Sequence, residues 1–438
     1  MWYWSRNMSN RRPFATTKHP LFEWIQIRVH DMPAKSRLSS YIRIAVVLLA
    51  IYCTADAMAE TSIKPSLGAH LTYDDNIIFT HYKPVSDWIY EILPAVEINY
   101  EDERNSVNLL ASGQGQHFNT ESDLDTFDVD VNLIARRQQT ERLKYSITGR
   151  YARDTTLDQT LLETGQLLRR ENRQLYSVLP EVEWMINERS SVSASLPWVK
   201  VNYDWAGNVD YDTLYFYLTY SYLLPNGNTK LFARPDIGRM NYDTGDYRTA
   251  DFMCGIEHNF SERLYARLLG GFNYTDARTD IVVLDRIIWN GEDYEFITRK
   301  ETQKDHYWGW VAEGEIKWLW DRGYLMASFT RRVSASGYGQ PVINMYFTPT
   351  FSWRITERLT GRVAGGISQV KSQNLTYDQN YWTYSARPSL TYRLTPFVNI
   401  GIYYVYQYLD DIEYSNNRDR NRIIFRVDIR DFNLHLNF

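Results

Sequence analysis

The sequence predicts an all-β fold: a single transmembrane antiparallel β-barrel of about 18 strands, within a range of 16–18. Three observations predict it. Strict apolar/polar alternation recurs in segment after segment from residue 60 onward. Short charged turns alternate with longer polar connections. The apolar phase carries aromatics at its ends and smaller residues between them. Alternation marks a strand with two unlike faces. A barrel in a bilayer needs an apolar outer band between aromatic girdles, around a polar interior. A soluble all-β protein, the competing architecture, would face its aliphatic residues inward and scatter its aromatics.

Composition agrees. The 438 residues include 34 Tyr and 14 Trp, and mean hydropathy is negative. No run approaches the ~18 apolar residues that a membrane-spanning helix needs. Helical 3.6-residue periodicity is almost absent.

The N-terminus reads differently from the rest. Lys35, Arg37 and Arg43 precede a short apolar core, Ile44 to Cys53, and Ala57-Met58-Ala59 supplies a small-x-small cleavage pattern. This is the pattern of a secretory signal peptide, assigned to 32–59; its apolar core is too short to span a membrane. Residues 1–31 read as an upstream mis-start or an extended n-region, and 60–438 as the barrel. The first 59 residues hold eight Lys/Arg and three Asp/Glu, which leaves the remainder at about −10 from a total of −5. That balance argues against nucleic acid as a partner. Cys254 is the single cysteine after residue 59, so no intramolecular disulfide or thiolate metal site is expected.

Taken in order, the first strand alternates Ile63, Leu67, Leu71 and Tyr73 with Lys64, Ser66, His70 and Asp74. The second sets Trp88, Tyr90, Ile92 and Ile98 against Glu91, Glu97 and Asn99. Phe127, Val129, Val131 and Leu133 oppose Asp128, Asp130, Asn132 and Arg136. Trp308, Trp310, Ile316, Trp318 and Trp320 oppose Glu313, Glu315 and Lys317, and Trp382 to Leu394 repeats the pattern against Arg387 and Arg393. Glu-Arg recurs in short turns at Glu103, Glu141, Glu188, Glu262 and Glu357, a charged dipeptide that stays in water. The longer connections include Thr155–Gln174 and the stretch from Thr275 to His306. Short turns then face the periplasm and long loops the exterior, with both barrel termini periplasmic. Pro94, Pro180, Pro235, Pro349 and Pro388 fall inside strands and predict bulges at a common depth. The last segment changes phase between Ile429 and Phe432, which predicts a bulge near Arg430-Asp431.

The signal peptide, the alternating strands and the terminal Phe438 after Leu434 and Leu436 together resemble bacterial outer-membrane β-barrels. That resemblance implies an outer-membrane location, lipid as surroundings, and the barrel-assembly machinery as a partner reading Phe438. A narrower likeness starts at "IKPSLGAHLTYDDNIIFT" and "SDWIYEILPAVEINYE", which resembles the β-barrel porins encoded with exopolysaccharide and PEP-CTERM export systems. Their Tyr-x-Asp-Asn motif is here Tyr73 to Asn76, followed by Ser86-Asp87 and Leu93-Pro94. The family implies a non-enzymatic barrel linked to surface polysaccharide and brings no established site residues; the function expected is a passive channel, with anionic polysaccharide as a candidate partner.

The candidate lumen-lining residues are Asp128, Asp130, Arg136, Lys144, Arg150, Glu313, Glu315, Lys317, Arg387 and Arg393. Charges of this kind set selectivity in a pore or pair up in a closed, rigid interior. Asp128 and Asp130 near Arg136 suggest pairing. The acidic stretches "ESDLDTFD" and "YLDDIEY" offer oxygen ligands but no calcium-loop spacing. Tyr377, Tyr381 and Trp382 read as girdle residues before sugar-stacking ones. His70, His117 and His435 are scattered without a neighbouring nucleophile, so no enzyme, cofactor or metal is expected. Three readings compete: a channel, an occluded structural or adhesive barrel acting through its loops, and an outer-membrane hydrolase.

Overall fold

The computed structural model describes residues 60–157, 170–204, 207–289, 294–372, 380–413, 415–430 and 434–437. The mis-start and signal-peptide readings, Tyr377 and the assembly role of Phe438 lie outside the described residues.

The chain runs through β1 (Glu60–Asp74), β2 (Asp87–Glu101), β3 (Asn105–Phe118), β4 (Thr126–Thr140), β5 (Leu143–Thr155) and β6 (Asn172–Met185). It continues through β7 (Ser190–Ser195), β8 (Trp198–Tyr203), β9 (Tyr211–Leu223), β10 (Thr229–Tyr242), β11 (Gly245–Ser261), β12 (Leu264–Trp289) and β13 (Tyr294–Trp320). The remainder is β14 (Gly323–Ser334), β15 (Val342–Arg354), β16 (Leu359–Ser372), β17 (Asn380–Arg393), β18 (Val398–Asp411), β19 (Arg418–Ile429) and β20 (Leu434–Asn437). Two pairs are halves of single staves. β7 and β8 lie end to end between β6 and β9, and β19 and β20 lie end to end along β1. The result is a closed 18-strand antiparallel barrel, with β1 hydrogen-bonded to β2 on one side and to β19 and β20 on the other. Closure leaves no free sheet edge around the wall, the condition a strand protein must meet in lipid.

The two ends differ. One end holds the tight turns, and Glu60 pairs there with Asn437; we call it the turn end and the other the loop end. Turn chemistry is local. At 102–104 the Asp102 carboxylate accepts from the backbone N–H of Arg104 (2.8 Å) and Asn105 (2.7 Å), from the Asn105 amide and from the Tyr100 hydroxyl. Partial burial works against its charge, but the Asn105, Arg104 and Tyr100 hydrogen bonds outweigh it and hold the Asp102 pKa down to about 2. A depressed carboxylate stabilises the fold above its unfolded pKa of about 3.9 and loses that contribution as pH falls toward 2. We therefore expect Asp102→Asn to narrow the difference in unfolding midpoint between pH 5 and pH 2, measured by denaturant titration of the folded barrel.

Outward and inward faces separate as alternation requires. On β13, Trp308 (73% exposed), Trp310, Ile316 and Trp318 point out, while Val311 is buried and Glu313 half-buried on the inner face. Trp308 to Trp318 spans ten residues, about 33 Å of strand, and at a tilt of about 40° it covers about 25 Å of height. That matches the apolar band of a bilayer-spanning barrel. Trp88, Tyr90 and Phe127 continue the aromatic girdle at the loop end; Trp184, Phe260 and Trp353 continue it at the turn end. Cys254 is free and exposed, between outward Phe252 and Ile256.

Three expectations need correction or refinement. No register shift accompanies the five strand prolines. Ile92↔Gly115 and Ala95↔Ser112 bracket Pro94 in one register, as Ala233↔Tyr220 and Asp236↔Tyr217 bracket Pro235. The same interruption on one side recurs at Pro180, Pro349 and Pro388. Proline removes a donor, so the ladder opens, but no residue is inserted and pairing resumes in step. The stretch from Thr275 to His306 is not a structureless loop: β12 and β13 continue as one paired ribbon up to Trp289↔Tyr294. Its β-branched run (Ile281, Val282, Val283) and alternation simply carry on past the membrane band. Finally, β10 and β11 join at the loop end through residues 243–244 alone, so that end is not uniformly long-looped. The phase change does appear as a register step: Leu67 pairs with Ile429, but Ile63 pairs with Leu434.

Candidate functional site: the lumen and its loop-end mouth

The Tyr73-x-Asp-Asn motif proves to be a seam clasp. Asp74 is fully buried and accepts from Arg420 Nε at 2.7 Å, with Arg420 itself 1% exposed. Asp75 accepts from the Asn421 backbone N–H and side-chain amide, both at 2.7 Å. The Asn76 amide donates to the backbone carbonyls of Thr80 and Asp419 (2.8 Å each) and accepts from the Thr80 N–H. Three consecutive side chains, the last of the first strand and the two that follow it, therefore lock onto β19, the stave that closes the barrel. They also aim the following loop inward. Ser86-Asp87 does a related job: Asp87 is buried and receives the N–H groups of Thr120 and Glu121, which fixes the β3–β4 connection.

The loop that follows packs against the inner wall at the loop end. Phe79, 1% exposed, packs with Leu157, Val342, Val370, Tyr381 and Leu409, joined by Tyr338. Three connections thus meet over the inner faces of β15–β18. Phe79 holds φ +49, a backbone region that favours glycine and costs a bulky residue of order 1 kcal/mol or more. Phe79 N–H to Asn76 carbonyl (2.9 Å) and Arg418 to the Phe79 carbonyl keep it there. Burial pushes the Tyr338 hydroxyl up to about 12, so it stays neutral in the ordinary pH range. A second apolar group, Ile77, Ile89 and Phe118, packs on the neighbouring wall.

Below this lid the lumen is polar, and its charges are segregated. The inner phase of β19 reads Arg418, Arg420, Arg422, Ile424, Arg426, Asp428, with Ile423, Phe425 and Val427 facing out. Arg362 on β16 and Arg387 on β17 extend the row, and a cavity of about 400 Å³ is lined by Arg362, Arg387, Arg420, Arg422 and Arg426 together with Glu91 of β2. Arg426 donates from Nε to His70 Nε2 (2.9 Å) and lies over the Tyr403 ring at 4.6 Å. Arg387 Nε is buried with no hydrogen-bond partner among the described residues.

The ten candidate lumen-lining residues all lie on the inner phase. Asp130 pairs with Arg150 (2.7 Å) and not with Arg136, because Arg150 stands on the next strand, diagonal to it. Asp128 accepts from Thr126 (3.0 Å). Lys144 faces Glu183 at 3.9 Å, and both lie with Arg136 around a hollow at the turn end. Glu313 is bridged by Arg234, which also holds Asp236. Glu315 and Lys317 are exposed near the turn end, and Arg393 donates to the Glu357 carbonyl. Of the ten, Arg387 belongs to the basic row. Arg362, Arg420, Arg422 and Arg426 were missed, though the signal was present: Arg420, Arg422 and Arg426 occupy the phase opposite Ile423, Phe425, Val427 and Ile429, and Arg362 the phase opposite Val363. Tyr381, offered as a girdle or sugar-stacking residue, is instead buried in the lid cluster.

Of the candidate histidines, His70 and His117 are held by neighbours, and the side chain of His435 lies outside the described residues. His70 Nε2 lies 2.9 Å from Arg426 Nε and 3.4 Å from Asp428 Oδ1, and His117 Nδ1 meets Asp125 at 2.7 Å. Among the described residues no group of three His, Cys, Asp or Glu side chains could hold a metal ion.

No family model matches the chain, and no curated protein matches it. Solved structures to which it is similar include the outer membrane protein OpdK from Pseudomonas aeruginosa, at 11% identity over 84% of this chain and 99% of that one, TM-score 0.41. Another is OccAB3 of Acinetobacter baumannii, at 9% identity over 85% and 99%, TM-score 0.42. A third is the ferric-catecholate import receptor Fiu of E. coli K12, at 10% over 83% and 81%, TM-score 0.43. At such identities the likeness is one of chain path.

Proposed function

We propose that the chain is a passive outer-membrane pore favouring anionic solutes, with the turn end in the periplasm, the loop end outside and Phe438 read by the assembly machinery. The observation that carries the reading is the inner phase of β16–β19, where arginines gather around one cavity and outnumber the carboxylates on those inner faces, Asp411 and Asp428. Guanidinium groups in a narrow, low-dielectric passage attract carboxylates, sulfates and phosphates and repel cations. Acidic polysaccharide is the polymer class this favours, because successive acidic groups can step from one arginine to the next; the resemblance at Tyr73–Asn76 supports the same class. No step of bond chemistry enters the reading. The lid at Phe79 favours a second feature, a mouth narrowed at rest.

The test is charge neutralisation. Arg362→Gln/Arg387→Gln, two residues with no ion pair among the described residues, is expected to lower the anion-over-cation permeability ratio about three- to tenfold in planar bilayers. Unchanged selectivity contradicts the assignment of the pore to the basic row.

A further inference from the structure

Outside the barrel, strands β10–β13 carry a sharp chemical boundary. Ile237, Ala250, Tyr274 and Trp308 stand side by side in register on the outer face, with Ile237 61% and Trp308 73% exposed. The next row toward the loop end is Arg239, Arg248, Asp276 and His306, and the one beyond is Asn241, Asp246, Arg278 and Lys304. The apolar row ends the band that faces lipid, so the charged rows lie at headgroup height.

These rows are under-compensated. Arg248 meets Asp246 at 3.5 Å, Arg278 meets Asp276 at 3.7 Å, and His306 Nδ1 meets Asp276 at 3.1 Å. Arg239 and Lys304 have no ion pair among the described residues. Arg239 and Arg248 are moreover direct cross-strand partners, both exposed. Like charges placed directly opposite destabilise a sheet, and an anion between them reverses the sign of that interaction. Nearby, Arg331 points outward from β14 and lays its guanidinium over Trp310 at 4.0 Å, so the cationic fringe reaches down to the girdle.

We propose that this outer wall binds the phosphate groups of lipid headgroups in the leaflet at the loop end, with the acyl chains against the Ile237–Trp308 row. The inference rests on the barrel spanning a bilayer. Guanidinium forks suit phosphate oxygens, and the adjoining apolar row supplies what a free anion lacks.

The folded barrel is inserted into phosphatidylcholine vesicles doped with a bisphosphorylated glucosamine-disaccharide lipid, or with its dephosphorylated counterpart. Detergent extraction then reads lipid retained per protein. We expect wild type to retain the phosphorylated lipid about tenfold better than the dephosphorylated one, and Arg239→Gln/Arg248→Gln/Lys304→Gln to lose that preference. Arg239→Lys/Arg248→Lys, which keeps the charge and guards against a folding artefact, is expected to retain most of it. Equal retention of the two lipids, or a glutamine variant that behaves as wild type, overturns the proposal. Stripping by millimolar inorganic phosphate also overturns it, by showing a free-anion site. A barrel that never enters vesicles contradicts the membrane reading itself and is seen before any lipid is counted.

Discussion

Phe79→Ala is expected to raise the single-channel conductance of the barrel several-fold. The ring is 1% exposed and is the element of the β1–β2 connection that reaches the inner faces of β15–β18. Its removal leaves Tyr338 and Leu157 without their shared neighbour, a large-to-small change in a packed cluster that costs about 3–5 kcal/mol of local packing. The barrel wall does not depend on this cluster, because its strands are held by the ladder. The loss therefore falls on the lid and not on the fold. Phe79→Gly serves as a check on the backbone: glycine suits φ +49 and relieves strain while deleting the same ring. Both variants are expected to conduct more than wild type. Unchanged conductance in both shows that the cluster does not obstruct the passage.

Arg420→Leu is expected to produce the largest loss of stability. Its guanidinium and the Asp74 carboxylate are both removed from solvent, and breaking one partner of such a pair leaves an uncompensated buried charge, which costs about 3–5 kcal/mol. The damage falls where β19 meets the end of β1, the seam that closes the barrel. Asp74→Leu/Arg420→Leu is expected to recover most of the loss, since no charge is then stranded. Urea unfolding of the barrel in micelles, followed by tryptophan fluorescence, measures both. A double variant no better than the single one shows that the pair acts through its hydrogen-bond geometry and not through charge burial.

The architecture was legible because alternation is a property of single strands: Trp308 to Trp320 declares its two faces without reference to any neighbour. Strand number followed from the charged turns, which are local too. What stayed hidden depends on contacts between distant segments. Asp74 and Asn76 read as a family motif, but their partners Arg420 and Asp419 lie more than three hundred residues away. Phe79 gives no periodic signal, since a loop residue can point anywhere. The basic row was available in "RDRNRIIFRVDIR", where Arg420, Arg422 and Arg426 alternate with the outward Ile423, Phe425 and Val427. The prolines misled because a missing donor and an inserted residue look alike in sequence. The Thr275–His306 ribbon misled because its polar residues outnumber its apolar ones beyond the membrane, where both faces meet water.

The most direct test of the account is the reversal potential of the wild-type barrel in a planar bilayer under a salt gradient. The account predicts stable steps of modest conductance whose reversal potential reports anion preference, with conductance blocked by an acidic oligosaccharide. A folded, inserted barrel that never conducts, or one that prefers cations, contradicts it.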